Sequence, residues 1–351
     1  MLFYILLFAI ITLTFVIYPN GKNMGEFWLV ILFILSAFRA ECVGTDTISY
    51  LSPDKYTLYS ESPMIGKGFE IIYLSVVQVI SNNNLPARLL LVFMSFITMF
   101  FLHKTLKRYE NAYFCGLVIY LFVFYLSSLN VARQLCACSI IMYGYTFLFE
   151  DDSKKYYFLL LVCVASLIHV SSLVYLLLYV TRFIPQNKIS KVVLIIIAVI
   201  FFCFNVVSPF NVSELLVKVS SGYVSYSSLY ADIAVTGQRS FMGIITDLLK
   251  FVALLWIFID GANPRLSRTD IIFYGTIIAF IISNNAHSDI SRIFLPILIY
   301  QVIYICELYK MRRIKCSNIS FIYYLVVNLF FTLYGVSIGS GELVPYSMSF
   351  N

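Results

Sequence analysis

Residues 112–149 have the sequence AYFCGLVIYLFVFYLSSLNVARQLCACSIIMYGYTFLF, and this stretch decides the fold class. Its only ionised side chain is Arg133. A helix needs about 20 apolar residues to cross the hydrocarbon core, so the stretch has room for two, one on each side of Asn130. The apolar residues are continuous and do not alternate, which is typical of membrane helices and not of a β-barrel.

Similar apolar runs recur along the rest of the chain. The chain is 61% hydrophobic and only 12% charged, roughly half the charge of a soluble protein. We predict an all-α, polytopic transmembrane bundle of about 10–12 membrane segments, forming one integral membrane domain over residues 1–351. The predicted segments are 2–18, 26–40, 68–81, 86–102, 112–129, 131–149, 155–181, 189–209, 240–260, 269–284, 290–309 and 318–338.

Composition argues against several other classes of protein. The net charge of +6 comes from basic residues scattered in short loops, so we expect no nucleic-acid partner. Most of the eight cysteines lie in apolar runs, as Cys136 and Cys138 do, and they suggest neither a disulfide framework nor zinc. Asp46 is the only acid in its immediate stretch, so we expect no metal site and no cofactor.

The loops predict an orientation, because lysine and arginine concentrate on the cytoplasmic side. With the basic clusters inside, the two long polar intervals 41–67 and 210–239 become outer-face loops, and both termini lie outside. The clusters are Lys22, Lys104/Lys107/Arg108, Lys154/Lys155, Arg182/Lys188/Lys191, Arg265/Arg268 and Lys310/Arg312/Arg313/Lys315.

Two segments require an unusual geometry. Segment 155–181 has basic loops at both ends, which a single crossing would put on opposite faces; we predict two short half-helices that turn near Ile168-His169-Val170-Ser171. Segment 68–81 is too short for an ordinary span and is predicted to be re-entrant or interfacial.

Three arginines, Arg39, Arg133 and Arg292, fall near the membrane on the predicted outer face. Basic residues are rare there, and a diphosphate ligand would explain them, because guanidinium groups hold phosphate oxygens by paired hydrogen bonds. The alternative is that they lock helices together by pairing with acids such as Asp46 and Asp289 or with backbone carbonyls.

Two residues are candidate general bases. Asp46 follows Gly44 and is suited to deprotonating a sugar hydroxyl, although an aspartate in such a stretch is commonly a turn residue. His169 lies at the predicted break in segment 155–181, although a lone histidine on an apolar helix is more often a core residue. The remaining candidates are predicted to bind substrate; they are Asn130, Gln134, Ser171 and His287.

Taken together, these residues resemble the EpsG-like family of polysaccharide membrane proteins, which includes Wzy-type O-antigen and capsule polymerases. The more specific part of the resemblance is the Arg133-Gln134 pair with His169-Val170-Ser171. The other matching elements are Phe38-Arg39, Val43-Gly44-Thr45-Asp46-Thr47, Tyr50, Gly68-Phe69-Glu70, Asn130, Ala137, Ala165, Arg292 and Pro345-Tyr346.

The resemblance implies a metal-independent glycosyltransferase of GT-C-like fold in the bacterial inner membrane. It would transfer a growing glycan from undecaprenyl diphosphate to the sugar end of a second lipid-linked repeat unit, with its site facing the periplasm. Arg133, Arg39 and Arg292 would hold the diphosphate, and Asp46 or His169 would act on the acceptor hydroxyl. A chain-length regulator is a further expected partner.

Two other functions stay open at this point. A membrane glycosyl- or acyltransferase would modify a glycan without polymerising it. A flippase for lipid-linked oligosaccharides would share the arginines, but alternating access usually needs midplane polar groups and related halves, neither of which the sequence displays.

Overall fold

A computed structural model of the chain describes residues 1–51, 70–148, 154, 156–183, 191–207, 241–261, 267–284, 288–315 and 317–349, with the backbone alone at 207 and 288–290. The predicted outer loops therefore lie largely outside the described residues. Within the described part there is no strand, and the only bridge pairs Arg39 with Met348. The prediction of an all-α fold is confirmed.

In its described part, the first half of the chain forms nine α-helices, with shorter turns of other helix types between some of them. A 3₁₀ turn over Lys107–Ala112 joins α5 to α6, and a π-helical turn over Leu121–Tyr125 joins α6 to α7. The α-helices are α1 (Leu2–Ile17), α2 (Lys22–Ala37), α3 (Thr47–Leu51), α4 (Ile71–Asn82), α5 (Arg88–Leu106), α6 (Tyr113–Tyr120), α7 (Leu126–Asn130), α8 (Ala132–Leu148) and α9 (Tyr156–Ser166).

The described second half is also helical. It begins with a 3₁₀ helix over Val170–Phe183 and ends with a 3₁₀ turn over Ser340–Glu342. The α-helices between them are α10 (Lys191–Val207), α11 (Phe241–Asp260), α12 (Arg268–Ser283), α13 (Ser288–Ile293), α14 (Leu295–Leu298), α15 (Tyr300–Lys310) and α16 (Ile319–Ser337).

Three helical stretches of the described residues are long and apolar enough to cross a membrane: Arg88–Asn130, Phe241–Asp260 and Ile319–Ser337. On α16, Ile322, Val326 and Phe330 are exposed, whereas Tyr324 and Phe331 on another face are buried. An exposed stripe of large apolar side chains at helical spacing is what a helix presents to lipid. The exact number of membrane segments stays a prediction.

The bundle has two chemically distinct ends. The basic end gathers Lys22, which pairs with Glu110 at 2.8 Å, and Arg182, which donates to the Leu148 carbonyl at 2.8 Å. The opposite end, called the site end below, is formed by residues 39–51, 130–134, 167–170 and 291–292. Helices α2, α5 and α8 each run from one end to the other.

Segment 155–181 folds back on itself, as predicted. Helix α9 ends at Ser166, and the 3₁₀ helix begins at Val170, so that His169 lies in the turn. Both outer ends of this hairpin meet the end of α8: the Tyr157 ring lies 5.4 Å from that of Phe147, and Arg182 contacts Leu148. Both ends of the folded-back segment therefore lie at the same end of the bundle.

Helix α4 has both of its ends at the site end. Glu70, immediately before it, contacts Arg133, and Arg88, soon after it, donates to the Arg39 carbonyl at 2.8 Å. A helix of 12 residues is about 18 Å long. It buries Tyr73, Val77 and Ile80 against the bundle, as expected of the short segment predicted near 68–81.

Candidate active site at one end of the bundle

The segment after α2 turns sharply at Gly44. Its φ of +92° is rare for residues with a side chain, and an added Cβ would lie 2.6 Å from the Leu129 carbonyl oxygen. The close approach lets the Thr45 backbone N–H donate to Asn130 Oδ1 at 2.9 Å. Asn130 thus joins this segment to the start of α8.

The C-terminal tail covers the same segment. The backbone N–H groups of Gly44 and Ala40 donate to the carbonyls of Glu342 and Ser347, at 3.0 and 2.9 Å. At Gly341, where φ is +75°, an added Cβ would lie 2.1 Å from Asn130 Nδ2, so the tail packs tightly on this amide. The first loop and the tail therefore form one wall of the site end.

Glu70 is the centre of a charged cluster. Its carboxylate accepts from Arg133 Nη1 at 2.9 Å, from His169 Nδ1 at 3.0 Å and from the Val170 backbone N–H at 3.2 Å. The Glu70 side chain is 10% exposed, whereas those of Arg133 and His169 are 22% and 20% exposed. The Arg133 and His169 side chains therefore keep an exposed surface that a ligand can approach.

The cluster holds Glu70 in its ionised form. Burial raises the pKa of this carboxyl, but the hydrogen bond from His169 and the charge of Arg133 outweigh burial, so the pKa lies below its ordinary value. The Arg133 guanidinium also stacks 4.8 Å above the ring of Tyr73 on α4. Arg133 is thus held from two sides.

The Tyr50 phenol lies within reach of three of the predicted site residues. Burial raises the pKa of this phenol; the positive charges of Arg133 and Arg39 act against that rise, and the negative charge of Asp46 adds to it. Asp46 follows Thr45, which lines the cavity described below, and its carboxylate accepts from the Thr45 hydroxyl at 3.4 Å. Asp46 therefore belongs to the same end of the bundle as the Glu70 cluster.

Arg39 is a buried structural residue at the site end. It is fully buried, and it donates to the Ser36 carbonyl at 2.6 Å and to Thr47 Oγ1 at 3.0 Å. Thr47 in turn donates to the Val43 carbonyl at 2.6 Å. These contacts agree with the alternative interpretation of this arginine, in which it locks the segment after α2 onto the bundle.

Gln134 has a structural partner. Pro296 has no N–H, so the carbonyl four residues earlier, that of Arg292, lacks its helical hydrogen bond. Gln134 Nε2 donates to that carbonyl at 2.5 Å. Gln134 therefore fixes the backbone that carries Arg292.

The rest of the break in helices α13–α15 is capped in the same way. The Tyr175 hydroxyl donates to the Ile293 carbonyl, Tyr145 to Pro296 at 2.9 Å, and Thr276 to Ile297 at 2.9 Å. Within a membrane, a broken helix is tolerated where neighbouring side chains satisfy the freed carbonyls. The break in the helix is thus stabilised by specific side chains, and it forms part of the site end.

A cavity of about 560 Å³ opens beside Arg292. Its described lining is dominated by hydroxyl and amide side chains, with a few apolar ones. The lining residues are Thr45, Ser127, Asn130, Val131, Ser283, Asn284, Ser291, Arg292, Leu295, Leu298, Ser340 and Gly341.

The other predicted residues divide as follows. Ser171 lies two residues after His169, and its Oγ is buried without a hydrogen-bond partner among the described residues. His287 lies outside the described residues. Glu70 was not predicted as a site residue, although it stands in the Gly68-Phe69-Glu70 stretch; an acid at the start of a short apolar segment was the available signal.

The part of the chain that the structure describes contains no group of three or more His, Cys, Asp or Glu side chains placed to hold a metal ion. That catalysis needs no metal stays a prediction from the sequence.

Comparison with known proteins identifies the family. A family model described as the EpsG family matches residues 22–348, nearly the whole chain, which confirms the resemblance seen in the sequence. No curated protein and no solved structure matches the chain.

Proposed function

The chain belongs to the EpsG family of polysaccharide-biosynthesis membrane proteins, and we propose that it is a polymerase of lipid-linked glycan repeat units. In this proposal it transfers a growing glycan from undecaprenyl diphosphate to the sugar end of a second lipid-linked unit. The site end faces the exterior of the cytoplasmic membrane, and the basic end faces the cytoplasm, as the distribution of lysine and arginine favours.

One observation carries the proposal: the Glu70 carboxylate is shared between Arg133 and His169, and both side chains remain partly exposed. This arrangement combines a fixed guanidinium, suited to a diphosphate, with an imidazole whose orientation is set by a carboxylate. Transfer from a lipid diphosphate needs both functions, because negative charge develops on the leaving group while the attacking hydroxyl loses a proton.

Glu70 determines which nitrogen of His169 is basic. Because the carboxylate accepts from Nδ1, the neutral imidazole carries its proton there, and Nε2 is left as the proton acceptor. His169 Nε2 then removes the proton from the acceptor hydroxyl as its oxygen bonds to the anomeric carbon. We assign the base role to His169 on this ground, and Asp46 to orienting the acceptor.

Arg133 stabilises the leaving group. The bond between the anomeric carbon and the diphosphate oxygen breaks, and its electron pair leaves with the diphosphate. The Arg133 guanidinium, which donates to Glu70, is planar and carries its N–H groups in a fork that matches phosphate oxygens, so it is suited to paired hydrogen bonds with the diphosphate. Arg292, on the wall of the adjoining cavity, adds a second positive charge at this end.

The proposal is tested by replacing Arg133 with alanine in the strain that carries the gene. We expect long-chain glycan to disappear from a gel of the cell's polysaccharide, while the single-repeat lipid product persists at the outer face. Retained chain-length ladders would reject the polymerase, and repeat units trapped on the inner leaflet would indicate a flippase.

Arg108→Ala is the matched control. Arg108 also stacks on an aromatic ring, 4.0 Å above Phe147, but it lies at the basic end. If polymerisation requires the positive charge at the site end, Arg108→Ala should leave the ladder unchanged. A ladder lost in both variants would mean that removing any stacked arginine disrupts the protein.

A further inference from the structure

The cavity beside Arg292 has the lining of a carbohydrate site. Serine, threonine and asparagine side chains supply hydrogen-bond donors and acceptors, and Leu295, Leu298 and Val131 supply apolar surface. A sugar ring presents the matching combination of hydroxyls and C–H faces. The volume of about 560 Å³ lies within the usual range for ligand sites, roughly 300–1,000 Å³.

The cavity also contains an unsatisfied donor. Asn284 Nδ2 is buried and has no hydrogen-bond partner among the described residues. A buried donor without a partner costs free energy, so a ligand oxygen at this position would be bound favourably. An acyl chain has no acceptor for this donor, whereas the hydroxyl groups of a sugar supply one.

The cavity and the Glu70 cluster lie on two sides of the same short stretch of chain. Asn130 lines the cavity, Arg133 belongs to the cluster, and Gln134 binds the carbonyl of Arg292, which again lines the cavity. Thr45 lines the cavity next to Asp46. A sugar held in the cavity is therefore adjacent to the groups that act on the lipid diphosphate.

We propose that this cavity binds the terminal sugar residues of the acceptor, as a subsite separate from the Arg133 cluster that takes the donor's diphosphate. The assignment rests on the proposed polymerase function. It divides the two substrates between two sites: the donor is recognised through charge, and the acceptor through hydroxyl groups.

The test uses purified full-length protein and a defined probe, the free oligosaccharide released by mild acid from the strain's own lipid-linked repeat unit. The probe has neither diphosphate nor lipid. We expect saturable binding by calorimetry, and Asn284→Leu should weaken it about tenfold through the lost hydrogen bond. Asn83→Leu is the matched control, because Asn83 is an exposed amide that does not line this cavity.

Arg133→Ala separates this inference from the proposed function. It should bind the free oligosaccharide as tightly as the wild type does, even though polymerisation is lost. A ladder retained in Arg133→Ala with oligosaccharide binding lost in Asn284→Leu would overturn the polymerase and keep the sugar site. Unchanged binding in Asn284→Leu, no binding to the wild type, or binding abolished in Arg133→Ala would overturn the subsite.

A second measurement covers the case in which Asn284→Leu does not fold. In a background where the exposed Cys42, Cys163 and Cys203 are replaced by serine, Ser340→Cys places a thiol on the cavity wall, and its labelling with a maleimide should be slowed by the same oligosaccharide. Labelling at the same rate with and without the oligosaccharide would contradict the assignment.

Discussion

Two carboxylates, one at each end of the bundle, differ in how completely they are satisfied. Asp270, at the basic end, is 2% exposed and pairs with Lys191 at 3.1 Å. It accepts from the Tyr304 hydroxyl at 2.6 Å and, through its other oxygen, from the backbone N–H and hydroxyl of Ser267 at 2.8 and 2.6 Å. The Lys191 side chain is itself only 8% exposed.

Glu70 likewise has a partner on each oxygen, Arg133 on one and His169 on the other, but these partners are more exposed than those of Asp270. Arg133 and His169 are each about one-fifth exposed, at 22% and 20%. The acid at the basic end therefore joins helices α10, α12 and α15 through buried partners, whereas the acid at the site end orients groups that face outward. The exposed partners of Glu70 can act on a ligand, whereas the buried partners of Asp270 can only hold helices together.

The largest expected effect is on stability, from Asp270→Ala. Removing this carboxylate leaves the buried Lys191 ammonium without its counter-charge, and breaking a buried pair in this way costs about 3–5 kcal/mol. We expect a lower midpoint of thermal unfolding in detergent. The double variant Asp270→Leu/Lys191→Met should recover much of the loss, and an unchanged midpoint in Asp270→Ala would refute a structural role.

Glu70→Gln should show the opposite behaviour. A neutral amide no longer fixes the His169 tautomer or balances Arg133, so polymer formation should fall about 10²–10⁴-fold, the usual contribution of general acid–base catalysis. The unfolding midpoint should change far less than in Asp270→Ala, because the Arg133 and His169 side chains left behind reach solvent. Polymer yield from a gel, measured beside thermal unfolding, checks both; a large loss of stability with normal polymer per folded molecule would contradict the comparison.

Much of the fold could be predicted from the sequence. Continuous apolar runs identify helices. The turn at His169 could be predicted because segment 155–181 has basic loops at both ends, which a single crossing would place on opposite faces of the membrane. These features depend on neighbouring residues and on the membrane. Lys22 and Arg182, from two of the predicted basic clusters, also lie at the same end of the bundle.

The contacts within the site were harder to predict, because they join distant parts of the chain. Glu70 is 63 residues from Arg133 and 99 from His169, and nothing in the local sequence of Glu70 reports either partner. Gln134 was predicted to bind substrate, but its partner is a carbonyl freed by Pro296. Arg39 was grouped with the other arginines, although the packing of Thr47 and Ser36 buries it.

The role of Gln134 allows a sharper test than a single substitution. Gln134→Leu leaves the Arg292 carbonyl without a donor, and an unsatisfied buried carbonyl costs about 1–3 kcal/mol. Pro296→Ala restores an N–H that can bond the same carbonyl within the helix. In the Pro296→Ala background, Gln134→Leu should therefore cost less, by about 1 kcal/mol or more, in a double-mutant cycle on unfolding. Additive effects would mean that Gln134 does not cap this carbonyl.

The smallest expected effect concerns Tyr73, which contributes to the site without contacting substrate. Its ring lies beneath Arg133 at 4.8 Å, and such a contact is worth about 0.5–1 kcal/mol at a partly exposed position. Tyr73→Leu should raise the concentration of lipid-linked substrate at half-maximal rate about two- to fivefold, because Arg133 then loses the aromatic ring and keeps its contact with Glu70. Tyr73→Phe keeps the ring and should behave like the wild type. If both variants are equally impaired, the Tyr73 hydroxyl matters and the stacked ring does not. Arg133 would then be held in place by Glu70 and not by the aromatic ring.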